Sequence, residues 1–127
     1  MTNQKALILF AHGARDPRWA QPFERLQKLA QAQQPDITVR LAFLELMEPR
    51  LPALTAELVA AGCEQMHIVP VFLGQGGHVL RDLPLILDEL RVAYPGLSVK
   101  VSDAVGESPA VLTAIADYCV QTLHTNK

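Results

Sequence analysis

The chain has 127 residues, 50% of them hydrophobic and 19% charged, with a formal net charge of −2. That length suits a single α/β domain with a real core, spanning 1–127 and with its folded part at about 5–123. The charge argues against bulk nucleic-acid binding, no run approaches the ~20 apolar residues of a membrane span, and a polar Met1 to Lys5 before a short apolar run predicts a cytoplasmic protein without a signal peptide.

Lys5 to Ala11 reads as a strand buried on both faces. His12-Gly13 ends it, and Ala14 to Pro17 is a loop. A helix begins near Ala20, with Pro22 in its first turn and Phe23, Leu26, Leu29 and Ala30 at helical spacing. Thr38 to Leu46 is a second strand, with Glu45, Glu48 and Pro49 at its exit. Leu51 to Ala61 is a second helix, with Gly62 as its terminating glycine. Gln65 to Leu73 is a third strand, again continuous enough in apolar residues to be buried on both faces. Gly74, Gly76 and Gly77 break it, free the backbone to turn sharply and let another molecule approach. His78 follows, and Leu83 to Tyr94 is a third helix, which Asp82 could cap. Leu97 to Val101 is an edge strand, and Ser108-Pro109 opens a last helix that runs to about Leu123. Cys63 and Cys119 have no metal-type spacing and are expected to be buried, reduced thiols.

Strand-helix alternation with short connections predicts a three-layer sandwich around a four-stranded parallel sheet, and right-handed crossovers favour the order 2-1-3-4. In that order the chain reverses direction between strands 1 and 3, where open sheets hold ligands. His12 leaves strand 1 and His78 follows strand 3. Adjacent strands lie ~4.8 Å apart, so the two imidazoles can converge on one divalent ion. Glu45 is a candidate third ligand, with Glu48 competing for the role. His67 and His124 read as structural or solvated. Arg15, Arg18, Arg50 and Arg81 fall near carboxyl ends of strands and could ring a crevice that accepts a polyanion. Asp82 could instead orient a histidine.

The glycine loop is not a dinucleotide fingerprint, because G-Q-G is followed by Gly77, His78 and Val79. No Gly-Lys-Ser/Thr is present for a P-loop. A histidine-type phosphatase wants an arginine just before the first histidine, where Ala11 stands. Three motifs, H-G-A-R-D-P at His12 to Pro17, A-F-L-E at Ala42 to Glu45 and V-P-V-F-L-G-Q-G-G-H-V-L-R-D-L-P at Val69 to Pro84, resemble the small sirohydrochlorin chelatases of the short CbiX type. The resemblance covers roughly Ala6 to Leu123. It implies insertion of Co(II), Fe(II) or Ni(II), as substrate, into a carboxylate-rich tetrapyrrole. It also implies that His12 and His78 bind the metal with Glu45 between them, and that all three are catalytic. Arg15, Gly76, Gly77 and Arg81 would meet the tetrapyrrole, without a nucleotide or redox cofactor, in a homodimer that binds neither nucleic acid nor membrane. Gln75 departs from the more apolar loop of many relatives. A non-catalytic metal or tetrapyrrole carrier of the same fold is the other reading.

Overall fold

The computed structural model describes residues 4–74 and 76–125, and of residues 77, 78 and 80 it describes the backbone. Its elements are β1 (Lys5–Ala11), α1 (Gln21–Gln33), β2 (Thr38–Phe43), α2 (Leu51–Ala60), β3 (Gln65–Pro70), α3 (Gly77–Ala93), β4 (Ser98–Val101) and α4 (Pro109–Gln121). Short 3-10 turns stand at Pro17–Ala20, Val105–Glu107 and Thr122–His124. The four strands pair in parallel in the order β2-β1-β3-β4, as the alternation predicts. Phe10 pairs with Pro70 and Ala11 with Phe43, so β1, β2 and β3 end together at one edge.

The core lies between the sheet and the helices α2 and α3. Ile8, Phe10, Met66 and Ile68 point to this side and are at most 1% exposed. They meet Leu51, Leu54 and Leu58 of α2 and Val79, Leu83, Leu87 and Leu90 of α3. The spacing in both helices is one helical face, and each such side chain contributes about 1.5–3 kcal/mol by burial. Helix α2 stops as its sequence dictates. Gly62 has φ of 99°, its N–H donates to Val59 O at 3.0 Å, and Cys63 N–H donates to Leu58 O at 2.9 Å. This pairing satisfies the last carbonyls and needs a residue without a Cβ at the left-handed position.

Several boundaries differ from expectation. Strand β2 ends at Phe43 rather than Leu46, because residues 44–49 loop back so that Phe43 N–H donates to Pro49 O at 2.9 Å. Strand β3 ends at Pro70 rather than Leu73; one more bond to β1, from Val71 N–H to Phe10 O at 2.7 Å, follows it before the chain bends at residues 73 and 74. Helix α3 begins six residues earlier than Leu83 and carries Pro84 in its interior. Asp82 is therefore inside the helix and Gly76 is its N-cap.

Helix α1 also presents a different face. Leu26 and Leu29 are 38% and 64% exposed. Gln27 and Gln31 turn to the sheet instead. Gln27 Nε2 donates to Val39 O at 2.7 Å, Gln31 Nε2 to Ile37 O at 2.7 Å, and Gln31 Oε1 accepts from Val39 N at 3.0 Å. The helix thus satisfies backbone groups that the edge strand β2 would otherwise leave open.

On this second side of the sheet α1 packs on β2. Strand β3 is consequently not buried on both faces: Gln65 and His67 are exposed and Val69 half-buried. Helix α4 is capped at Ser108, whose Oγ accepts from Val111 N at 3.4 Å, and has Pro109 at its start. From residue 112 to its end, every one of its positions is exposed. Cys119 is therefore exposed, contrary to expectation, whereas Cys63 is buried and burial pushes its thiol pKa up.

Candidate metal site at the carboxyl edge of the sheet

Beyond the last formal pair, β2 continues to follow β1 for two more residues. Leu44 N–H donates to Ala11 O at 2.9 Å and Glu45 N–H to His12 O at 3.1 Å. This extension carries Glu45 to His12, and their side chains meet with Nε2 and Oε2 3.1 Å apart. Gly13 makes the approach possible. Its φ is +100°, and a Cβ there would lie 1.8 Å from the carbonyl oxygen of Glu45. Underneath, Ala11, Ala20 and Phe43 are buried with Trp19 and Phe23 against them, and the Trp19 and Phe23 rings are 4.5 Å apart. This small second core holds the 3-10 turn after His12 against the end of β2.

Each side chain of the pair is 39% exposed. The site is an open edge and not a closed cage. A neutral imidazole protonated on Nε2 donates to the carboxylate. When a cation replaces that proton, both atoms offer lone pairs to one point. Nitrogen and oxygen ligands that sit ~2.0–2.2 Å from one ion at tetrahedral or octahedral angles are about 3.0–3.4 Å apart. The observed 3.1 Å fits adjacent ligands of a single divalent ion.

Glu48, the competing acid, is exposed and faces Arg50, with 3.7 Å between Oε2 and Nε. His78 is the second residue of α3, in the helical turn that follows the β3 exit loop; its side chain lies outside the described part of the structure, as does residue Gln75. Among the described residues no cluster of three or more His, Cys, Asp or Glu is present.

Gly74 and Gly76 do not need to be glycine for the turn. Gly76 has φ of −80° and ψ of 166°, which any residue adopts, and a Cβ at Gly74 or Gly76 would meet nothing within 4 Å. Sharp turning is therefore not their role. What they leave is open space beside the backbone, the condition for close approach of another molecule.

The arginines separate. Arg15 is exposed beside the site. Arg18 is turned away onto Asp16, with Nη2 to Oδ2 at 2.6 Å and Nε to Oδ1 at 3.1 Å. This guanidinium lowers the Asp16 pKa, and the carboxylate raises that of Arg18. Asp16 also caps the 3-10 turn by accepting from Arg18 N at 2.9 Å. Arg81 lies one residue before Asp82 in α3, 3.9 Å from its carboxylate, and is exposed. His67 stands on the uncovered sheet face and His124 in the last turn, both exposed.

A family model described as CbiX matches residues 6–122. The chain belongs to the CbiX family. Among curated relatives, a sirohydrochlorin cobaltochelatase of Methanococcus aeolicus is 36% identical over 84 residues, which are 65% of this chain and 58% of the relative. The enzyme of the same name from Methanopyrus kandleri is 33% identical over 82 residues, 65% of this chain and 57% of that protein. The CbiX chain thus spans less than two thirds of the length of these relatives. Among solved structures, a protein named as a candidate CbiX protein of cobalamin (vitamin B12) biosynthesis from Marinobacter aquaeolei VT8 superposes with a TM-score of 0.80 at 32% identity, covering 94% of this chain and 98% of that one. The sirohydrochlorin chelatase SirB from Bacillus subtilis subspecies spizizenii, crystallised with cobalt, shares the fold with a TM-score of 0.79 at 21% identity, over 93% of this chain and 50% of SirB.

Reading residues alone missed two structural supports of the site. Trp19 gives no catalytic signal, and only its ring stacking on Phe23 reveals it as the prop of the His12 loop. Asp16 reads as one residue of a polar loop, although Asp followed by Pro is a visible capping signature.

Proposed function

We propose that this chain inserts a divalent metal, Co(II), Fe(II) or Ni(II), into sirohydrochlorin, acting as a metal chelatase. The observation that carries this reading is the His12–Glu45 pair, 3.1 Å apart at an open sheet edge, in a chain of the CbiX family. The names of its relatives support the substrate. His12, Glu45 and His78 hold the incoming ion. Gly76, Gly77, Arg15 and Arg81 receive the tetrapyrrole, whose carboxylates suit guanidinium forks. The chain works as a homodimer in the cytoplasm, with no nucleotide or redox cofactor and no nucleic acid. No helix of the described residues is long and apolar enough to cross a membrane.

The chemistry needs an open, weak site. The ion must shed water and then leave for four pyrrole nitrogens. Two N–H protons leave the macrocycle as the doubly charged ion enters, so charge is conserved. Glu45 and an imidazole freed as the ion departs are placed to accept those protons. A thiolate cage would hold the ion too tightly to release it.

The test is the initial rate of metallation above the uncatalysed background, with each of the three metals. His12→Ala should lower the rate by about 10²–10⁴, the usual worth of a positioned acid or base, with further loss if metal binding fails. Glu45→Gln keeps shape, removes charge and should fall between parent and His12→Ala. Metal affinity should also weaken on acidification, because protons compete for imidazole. A parent rate equal to background with all three metals would instead favour a carrier.

A further inference from the structure

Two leucines stand in solvent at the edge that carries the metal pair. Leu46 follows Glu45 at the exit of β2 and is 49% exposed, and Leu73 follows the exit of β3 and is 57% exposed. Strand β1, from which His12 leaves, lies between those two strands. Adjacent strands are ~4.8 Å apart, so the two exits flank that of His12 at about one strand spacing each.

Neither leucine sits on loose backbone. Leu46 is held at φ of 67°, in the left-handed region, which a leucine adopts only at a cost. Its neighbours impose that conformation. Leu44 packs against the main core, Met47 against the second core, and Phe43 N–H donates to Pro49 O at 2.9 Å across the loop. Residues 102–108 are clamped to the exit of β3: Ser102 N–H donates to Ile68 O at 3.0 Å and Gly106 N–H to Phe72 O at 3.2 Å. A Cβ at Gly106 would lie 1.9 Å from Leu73 O, so only glycine permits this contact. On the other side of Leu73, a Cβ at Gly74 would meet nothing within 4 Å. The fold thus accepts strain at Leu46 and a tight backbone contact at Leu73 without burying either side chain. Strain that brings no burial, at the edge of a metal site, points to contact with a ligand.

The chemistry of that ligand follows from the order of polarity outward from the ion. A tetrapyrrole is polar at its centre, where four nitrogens receive the metal, and at its rim, where the carboxylates stand. The ring between is unsaturated carbon. On the protein the His12–Glu45 pair is the centre, and Leu46 and Leu73 stand at the strand exits beside it. Exposed guanidinium groups follow on the loop after β1 and on α3, at Arg15 and Arg81. An ion handed to the centre of the macrocycle brings the carbon ring over the groups next to the ion.

We propose that Leu46 and Leu73 form an apolar seat for the face of the sirohydrochlorin macrocycle, one on each side of the metal pair. The seat rests on the chelatase reading above and adds to it the contact made by the face of the ring. About half of each side chain is still open to solvent, so covering it is worth about three- to tenfold in affinity for each leucine.

Titration with metal-free sirohydrochlorin, read by its absorption spectrum, tests this without turnover. Leu46→Asn and Leu73→Asn remove the apolar surface, and asparagine tolerates the left-handed region. Each should weaken binding about three- to tenfold. The loss should persist at high salt, which screens contacts to arginine instead. In steady state the KM for the tetrapyrrole should rise with kcat close to that of the parent. Leu46→Asn should keep or raise the denaturation midpoint and bind metal as the parent does. Leu29→Asn, at an exposed position on α1, should bind sirohydrochlorin as the parent does. Unchanged sirohydrochlorin binding in either Leu46→Asn or Leu73→Asn overturns the seat and leaves the chelatase reading standing. So does a loss of metal affinity in Leu46→Asn, which would make Leu46 a prop of Glu45. A changed mass in light scattering would make the leucines a contact between copies and overturn the seat as well. A parent that does not bind sirohydrochlorin removes the seat and the chelatase reading together.

Discussion

At the scale of single residues, Gly13 controls the site although it offers no ligand atom. Its left-handed φ of +100° and the contact with the Glu45 carbonyl leave no room for a side chain. Gly13→Ala should therefore push residues 44–46 away from His12. The conformational part alone costs about 1–2 kcal/mol, and the displaced pair should bind metal more weakly than the parent. Denaturant unfolding measures the first effect and calorimetric metal titration the second. Unchanged metal affinity would mean that the pair tolerates a shift of the loop. Histidine and glutamate were readable as candidates from their strand-exit positions, but the choice of Glu45 over Glu48 at His12 rests on the path of residues 44–49. Two acids three residues apart look equivalent until the loop turns one toward β1 and the other toward Arg50.

At the scale of elements, end signals were legible wherever they act locally. Pro22, Pro52 and Pro109 sit in first turns, and Gly62 closes α2 with a left-handed residue. Gly62→Ala should cost about 1 kcal/mol, readable as a lower denaturation midpoint with unchanged slope; no change would mean that the helix end relaxes. The faces of α1 and the start of α3 were not legible. Leucine spacing in α1 suggests a buried stripe, yet the glutamines win because β2 is an edge strand with open backbone groups beside them. Pro84 looks like a first-turn proline, but packing of Val79, Leu83 and Leu87 on the core extends the helix past it.

At the scale of the whole molecule, the sheet is finished on one side and half-finished on the other. The homodimer proposed above predicts that the thermal midpoint rises with protein concentration, because a folded dimer is favoured by mass action. Calorimetric scans over a hundredfold range of concentration would read this. A midpoint independent of concentration would argue for chains that complete themselves.

The sequence by itself determined the strand-helix alternation, the parallel order β2-β1-β3-β4 and the edge at which the histidines leave the strands, because periodicity, turn residues and crossover handedness act over short stretches. It also carried the CbiX motifs. The tertiary structure alone decided which face of α1 meets the sheet and that α4 leaves β3 uncovered, and it sets Glu45, the acid that the motif resemblance already implied, beside His12. Those outcomes depend on contacts between segments far apart in the chain. An apolar helix has the same pattern whether or not it packs on its own sheet, and the clamp of residues 102–108 on the β3 exit sets where α4 starts.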